Sequence, residues 1–133
     1  MPNGNDPLFL TVQEVDTLHD DQIRTYGGTM GTRDPDALDA AVHMPQQTFG
    51  GTYVHADIFE MAAAYLFHIV LGHPYVDGNK RTGAEAADVF LSMNGYELEA
   101  TEDELELVVI DVATHVRTKQ ELAGFLRGRS VSR

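Results

Sequence analysis

Residues 58–71 constrain this chain more than any other stretch. Only Glu60 and His68 interrupt an apolar run that includes Phe59, Met61, Tyr65, Leu66, Ile69 and Val70. The run outlasts a usual strand, and Asp57 with Glu60 forms an N-cap and N3 pair at its start, so the spacing predicts a helix. A helix apolar nearly all round belongs at the centre of a domain, not on its surface. It is too short to span a bilayer, so no membrane partner is expected. Gly72 is placed to end it.

Helices also account for most of the remaining chain. Thr11 with Glu14 is a capping-box pattern, followed by Val12, Val15, Leu18 and Ile23 at roughly helical spacing, and Gly27-Gly28 ends that helix. Asp34-Pro35 opens a short helix that stops before Pro45. A helix over about 81–94 follows the central one, its alanines permitting close approach. Thr101 with Glu104, and Thr118 with Glu121, open helices over about 102–115 and 119–126. Leu8–Leu10 is a candidate edge strand and residues 96–100 a candidate extended segment. Residues 46–56 have no helical period, and their glycine pair predicts a loop or small hairpin. Phe49 and Tyr53 within them either tuck into the core or belong to a flap near a site. The fold expected is all-α, five or six helices with at most a minor β-hairpin. It forms one domain over residues 1–133, with a core at about 8–126 and short flexible ends.

Composition narrows the function classes. The chain has 133 residues, no cysteine and 43% hydrophobic residues, which excludes a disulfide frame, a thiolate nucleophile and default disorder. Absence of cysteine suits a reducing cytoplasm. The first residues carry no basic region followed by an apolar run, so no signal peptide is expected. A net charge of −12 argues against sequence-independent nucleic-acid binding, which depends on Lys and Arg against phosphate. Against that background Lys80 and Arg81 stand out as two adjacent members of only nine cations.

They lie in the segment His73-Pro-Tyr-Val-Asp-Gly-Asn-Lys-Arg-Thr-Gly83, which joins two apolar helices. A loop entering a helix N-terminus presents unpaired N–H groups and the positive end of the dipole. Gly78 permits close backbone approach and an anion nest. Asn79 adds a neutral donor, and Arg81 can fork onto phosphate oxygens. Asp77 is a hard oxygen ligand suited to Mg²⁺ shared with substrate phosphates. His73 can take the proton of an attacking hydroxyl. Taken singly, each residue has a blander reading: a structural histidine, a turn, surface charge. Their joint occurrence in one short loop points to transfer of a phosphate-containing group from a nucleotide to a hydroxyl. A Walker loop is excluded by Asn79 between Gly78 and Lys80, and a His-Glu-x-x-His zinc site by the five-residue step from His68 to His73. His19, His43, His55 and His115 are scattered and read as structural or surface residues.

The same segment resembles the signature of the Fic/Doc family, usually His-Pro-Phe-x-Asp/Glu-Gly-Asn-Gly/Lys-Arg, and Asp-Gly-Asn-Lys-Arg-Thr is similar to its Doc branch. The resemblance extends over roughly residues 8–126, through the Tyr26-Gly-Gly turn, Arg33-Asp-Pro, Phe49-Gly-Gly and the segment from Phe90 to Tyr96. It implies a compact helical fold with the signature loop between two central helices. It implies His73 as base, Asp77 as Mg²⁺ ligand, Gly78, Asn79, Lys80 and Arg81 as holders of ATP phosphates, and Phe49, Gly50 and Gly51 on a flap that aligns the target. Lys80 stands where AMP-transferring members carry a second glycine, and Ala84 where they carry a second arginine. In the Doc branch this accompanies transfer of the γ-phosphate, typically to a Thr of elongation factor Tu, which stops translation. Transfer of AMP and a catalytically silent interaction module are the alternatives. Tyr75 for Phe, and Gly83 for the usual Ala, read as conservative. No Ser or Thr here is followed by Glu four residues on, the mark of built-in inhibition, so inhibition is expected from a separate antitoxin.

Overall fold

The computed structural model describes residues 6–133, so residues 1–5 of the loose start expected over residues 1–7 lie outside them. Six α-helices are present among the described residues: α1 (Val12–Tyr26), α2 (Pro35–His43), α3 (Ile58–Gly72), α4 (Asn79–Met93), α5 (Glu102–Ala113) and α6 (Lys119–Gly128). A short 3-10 turn at Met44–Gln46 follows α2. The two antiparallel pairs are the hairpin β1 (Thr48–Phe49) with β2 (Thr52–Tyr53), and β3 (Tyr96–Leu98) with β4 (Ser130–Ser132). Among the described residues no helix is long and apolar enough to cross a membrane.

Local chemistry starts the helices where the sequence predicts. Reciprocal capping boxes open α1, α5 and α6 at Thr11, Thr101 and Thr118. Side chains of Asp34 and Asp57 cap α2 and α3. Helix α3 forms the centre, packed against α2, α4, α5 and α6, with Met61–Leu66, Ile69 and Val70 buried. Burying each of its larger side chains contributes about 1.5–3 kcal/mol, which makes α3 the main source of cohesion. The Tyr65 hydroxyl accepts the Leu10 N–H at 2.9 Å deep in this core. Its burial pushes the phenol up to about 12, so it stays protonated.

Several expectations are corrected. Residues 8–10 form no strand, because side chains satisfy the main chain there: Asn94 bonds both the N–H and the carbonyl of Leu8, and Tyr65 takes Leu10. Gly72 remains helical, and His73 adopts the left-handed cap with φ 50°. The tail does not fray as a whole: α6 reaches Gly128 and β4 pairs in register with β3, Leu98 opposite Ser130 and Tyr96 opposite Ser132. Phe49 and Tyr53 part company. Tyr53 packs on Phe9 with ring centroids 5.7 Å apart, whereas Phe49 is 85% exposed at the hairpin tip. Gly83 is not a conservative replacement for alanine here. A Cβ would lie 2.9 Å from Val70 Cγ2 and 3.2 Å from the Leu66 carbonyl oxygen, so glycine sets the close α3–α4 crossing.

Candidate active site

The loop between α3 and α4 is clamped by a second piece of chain. The Pro74 carbonyl accepts the N–H groups of Arg33 and Asp34 at 2.7 and 2.9 Å, and Val76 N–H donates to the Gly31 carbonyl at 3.0 Å. The Arg33 side chain donates through Nε to the His73 carbonyl at 2.7 Å and through Nη2 to the Gly72 carbonyl at 3.1 Å. A guanidinium on the last carbonyls of α3 satisfies acceptors the helix leaves open and complements its dipole. Arg33 is therefore part of the site's frame. Its hydrogen bonds span about 40 positions of chain, so no local pattern marks it.

Beneath the loop, Tyr75 is buried and its hydroxyl donates to Asp16 Oδ1 at 2.6 Å. Burial first, then that bond and the negative charge of Asp16, push its phenol well above the usual range. The His19 ring stacks on Tyr75 with centroids 3.7 Å apart and planes 5° from parallel. Its Nε2 lies 2.8 Å from the Asp77 carbonyl oxygen. A carbonyl only accepts, so His19 carries its proton on Nε2 in this arrangement. His19 is structural, as read from the sequence, but what it supports is the loop.

The loop groups are positioned in turn. Asp77 accepts Thr29 N–H on Oδ2 at 3.1 Å and Gly78 N–H on Oδ1 at 2.9 Å. The Thr29 and Gly78 donors hold this exposed carboxyl below the usual carboxylate range. Gly78 takes the left-handed N-cap position of α4 with φ 79°, and a Cβ there would reach 3.0 Å from Ile23 Cδ1. Asn79 is buried; its Oδ1 accepts Tyr75 N–H and its Nδ2 donates to the Tyr75 carbonyl, both at 2.9 Å. That pairing fixes the amide orientation and aims Nδ2 at His73 Nδ1, 3.1 Å away. Nδ1 must then be an acceptor, and the neutral His73 ring carries its proton on Nε2. Lys80 and Arg81 are exposed, with the Arg81 guanidinium 4.4 Å from the centroid of Tyr26.

His73, Asp77, Gly78, Asn79, Lys80 and Arg81 all line one cavity of about 930 Å³. The same cavity is lined by apolar side chains such as Leu105 and Val109 and by Glu85, Asp88 and Glu106. Burial, then like-charged neighbours, raises Glu85 and Asp88 above their ordinary range. Lys80 and Arg81, the lysine and arginine in the cavity's lining, both belong to the loop end, where α4 also presents its N-terminus. Phe49, Gly50 and Gly51 do not line this cavity. Among the described residues no trio of His, Cys, Asp or Glu is gathered to hold a metal. One ionised carboxylate beside an anion-binding helix start fits Mg²⁺ shared with phosphates and water, which needs no protein cage.

Comparison with known proteins agrees with this geometry. A sequence model described as the Fic/DOC family matches residues 9–91. The chain is 39% identical over 105 residues to "Toxin Doc" of Mycolicibacterium smegmatis, covering 77% of this chain and 81% of that one. It is 33% identical over 118 residues to "Protein kinase doc" of Escherichia phage P1, covering 89% and 92%. With the signature loop, the helical frame and these matches together, the chain belongs to the Fic/DOC family.

Proposed function

We propose that this chain is the toxin of a toxin–antitoxin pair and a protein kinase. It transfers the γ-phosphate of ATP to a Ser or Thr hydroxyl of a target protein, elongation factor Tu being the candidate, and so arrests translation in the cytoplasm. One observation carries the reading: a base, an ionised carboxylate and a helix N-terminus with two cations line a single cavity, His73 to Arg81. Similarity to a phage protein named a protein kinase supports it.

In this mechanism Gly78, Asn79, Lys80 and Arg81 hold the phosphates through main-chain N–H groups and side-chain donors. Asp77, kept ionised by its backbone donors, would ligate Mg²⁺. When bound, the ion supplies neutralisation of phosphate charge. The target oxygen forms a bond to the γ-phosphorus, the bond to the β,γ-bridging oxygen breaks, and ADP leaves with that electron pair. His73 takes the hydroxyl proton. Because Asn79 occupies the free lone pair at Nδ1, that hydrogen bond must give way for the ring to accept a proton. Lys80, where glycine accompanies AMP transfer, crowds the position that AMP-transfer chemistry needs. A separate antitoxin supplies inhibition.

ATP labelled on either the α- or the γ-phosphate, incubated with the protein and a bacterial lysate, tests this. Label entering a protein from the γ position is expected. Label from the α position instead would replace the kinase with an AMP-transferase, and growth arrest by a His73→Ala protein would leave a silent interaction module.

A further inference from the structure

A second gathering of titratable groups lies away from the loop. Lys119 Nζ is 3.1 Å from His55 Nε2 and 3.1 Å from His68 Nε2. His55 follows the β1–β2 hairpin and is only 5% exposed, His68 projects from α3, and Lys119 is the first residue of α6. His55 and Lys119 face a small open cavity of about 190 Å³, also lined by Val54, Glu60 and Gln120. Glu60 acts on Lys119 only through space, and the Phe67 ring lies 5.7 Å from Nζ.

This is a poor place for an ammonium. It is partly desolvated, it stands at the positive end of the α6 dipole, and its hydrogen-bond partners are neutral imidazoles rather than carboxylates. Burial is the main reason the amine is pushed below its ordinary range, with Glu60 opposing. Burial, with the Lys119 charge second, pushes His55 down as well, and for the same two reasons His68 goes to about 4. Both imidazoles are therefore neutral and present a lone pair to the amine. A desolvated lysine next to proton acceptors is an activated nucleophile.

We propose that Lys119 is a site of covalent acylation, its amine attacking small activated acyl donors of the acyl-phosphate class with His55 or His68 as proton acceptor. The ammonium first passes a proton through an imidazole Nε2 to water. The freed lone pair then forms a C–N bond to the acyl carbon, the C–O bond to phosphate breaks, and phosphate leaves with the electron pair. A second Nζ proton departs as the amide forms. The product is neutral and keeps one N–H, so it can serve only one of the two imidazoles. Acylation thus releases either the hairpin base at His55 or α3 at His68.

The chain holds only two lysines, Lys80 and Lys119, which makes the test direct. Folded protein and free Nα-acetyl-lysine amide are treated together with limiting isotope-labelled acetyl phosphate at pH 7.5, and each site is quantified by peptide mass spectrometry. Lys119 is expected to react at least about fivefold faster than the free amine, and to lose that advantage in urea and in a folded His68→Gln, His55→Gln protein. A Lys119 rate no greater than that of the free amine overturns the proposal, whether or not the variant folds. So does an advantage that survives both substitutions. Neither ATP nor a target protein enters the measurement.

Discussion

Helix α3 serves two polar clusters that use the same residue types in opposite ways. At its C-terminal end the loop keeps its charged groups exposed and organises them with hydrogen bonds: Asp77 between two N–H groups, His73 against Asn79, the whole loop clamped by residues 31–34. On the α6 side, His55, His68 and Lys119 are drawn inward, and burial pushes all three toward their neutral forms. Hydrogen bonding to the charged form and desolvation shift ionisation in opposite senses, so one helix carries a cluster whose carboxylate is held ionised and another whose groups are pushed toward neutrality. The difference lies in the surroundings, not in the side chains.

The sharpest break in this comparison is at His73. Replacement by Asn, which tolerates left-handed backbone, is expected to lower γ-phosphate transfer by about 10²–10⁴-fold, the usual contribution of a general base. Unchanged transfer would remove His73 from the chemistry. The next largest effect tests the clamp. Gly28 has φ 123°, and a Cβ there would lie 2.7 Å from Asp77 Oδ2. Gly28→Ala is expected to destabilise by about 1–3 kcal/mol through backbone strain, read from the urea midpoint. It should also lower phosphate transfer, because the carboxylate must move.

The inward cluster should respond to pH. His55 and His68 have folded-state pKa values below the ordinary 6.5, His68 at about 4. The unfolded chain thus binds more protons as pH falls, so the contribution to stability is present above about 6.5 and lost progressively toward 4. Urea midpoints are expected to drop between pH 7 and pH 5, and His68→Gln should flatten that drop. A drop unchanged by the substitution would place the proton uptake elsewhere. Farther from both clusters, Thr101→Ala removes one half of a capping box and should cost about 1 kcal/mol of stability while leaving phosphate transfer unchanged.

Much of this was legible because it is local. A cap at Asp34, Asp57 or Thr101 is a hydrogen bond three residues long, and it survives from sequence to structure. The loop is also local, and it brings every residue from His73 to Arg81 that was named for the chemistry to one cavity. The flap is a different case: the hairpin formed where its glycines predicted, with Phe49 exposed to solvent and outside the lining of that cavity. What failed was long-range. The β3–β4 pair joins segments that show no alternating pattern strong enough to announce a sheet, and it captured a tail read as frayed.

By itself the sequence determined the helices, their starts, the central place of α3 and the chemical content of the loop, because helix period and capping act over a few residues. Tertiary structure alone decided which way Asn79 faces, that Arg33, Thr29 and His19 hold the loop from 40 to 58 positions away, and that Gly83 is a packing requirement. It alone brought Lys119 to His55 and His68, across 64 and 51 positions. Such contacts leave no periodic trace in the chain. They exist only once the burial of α3 has drawn its neighbours together.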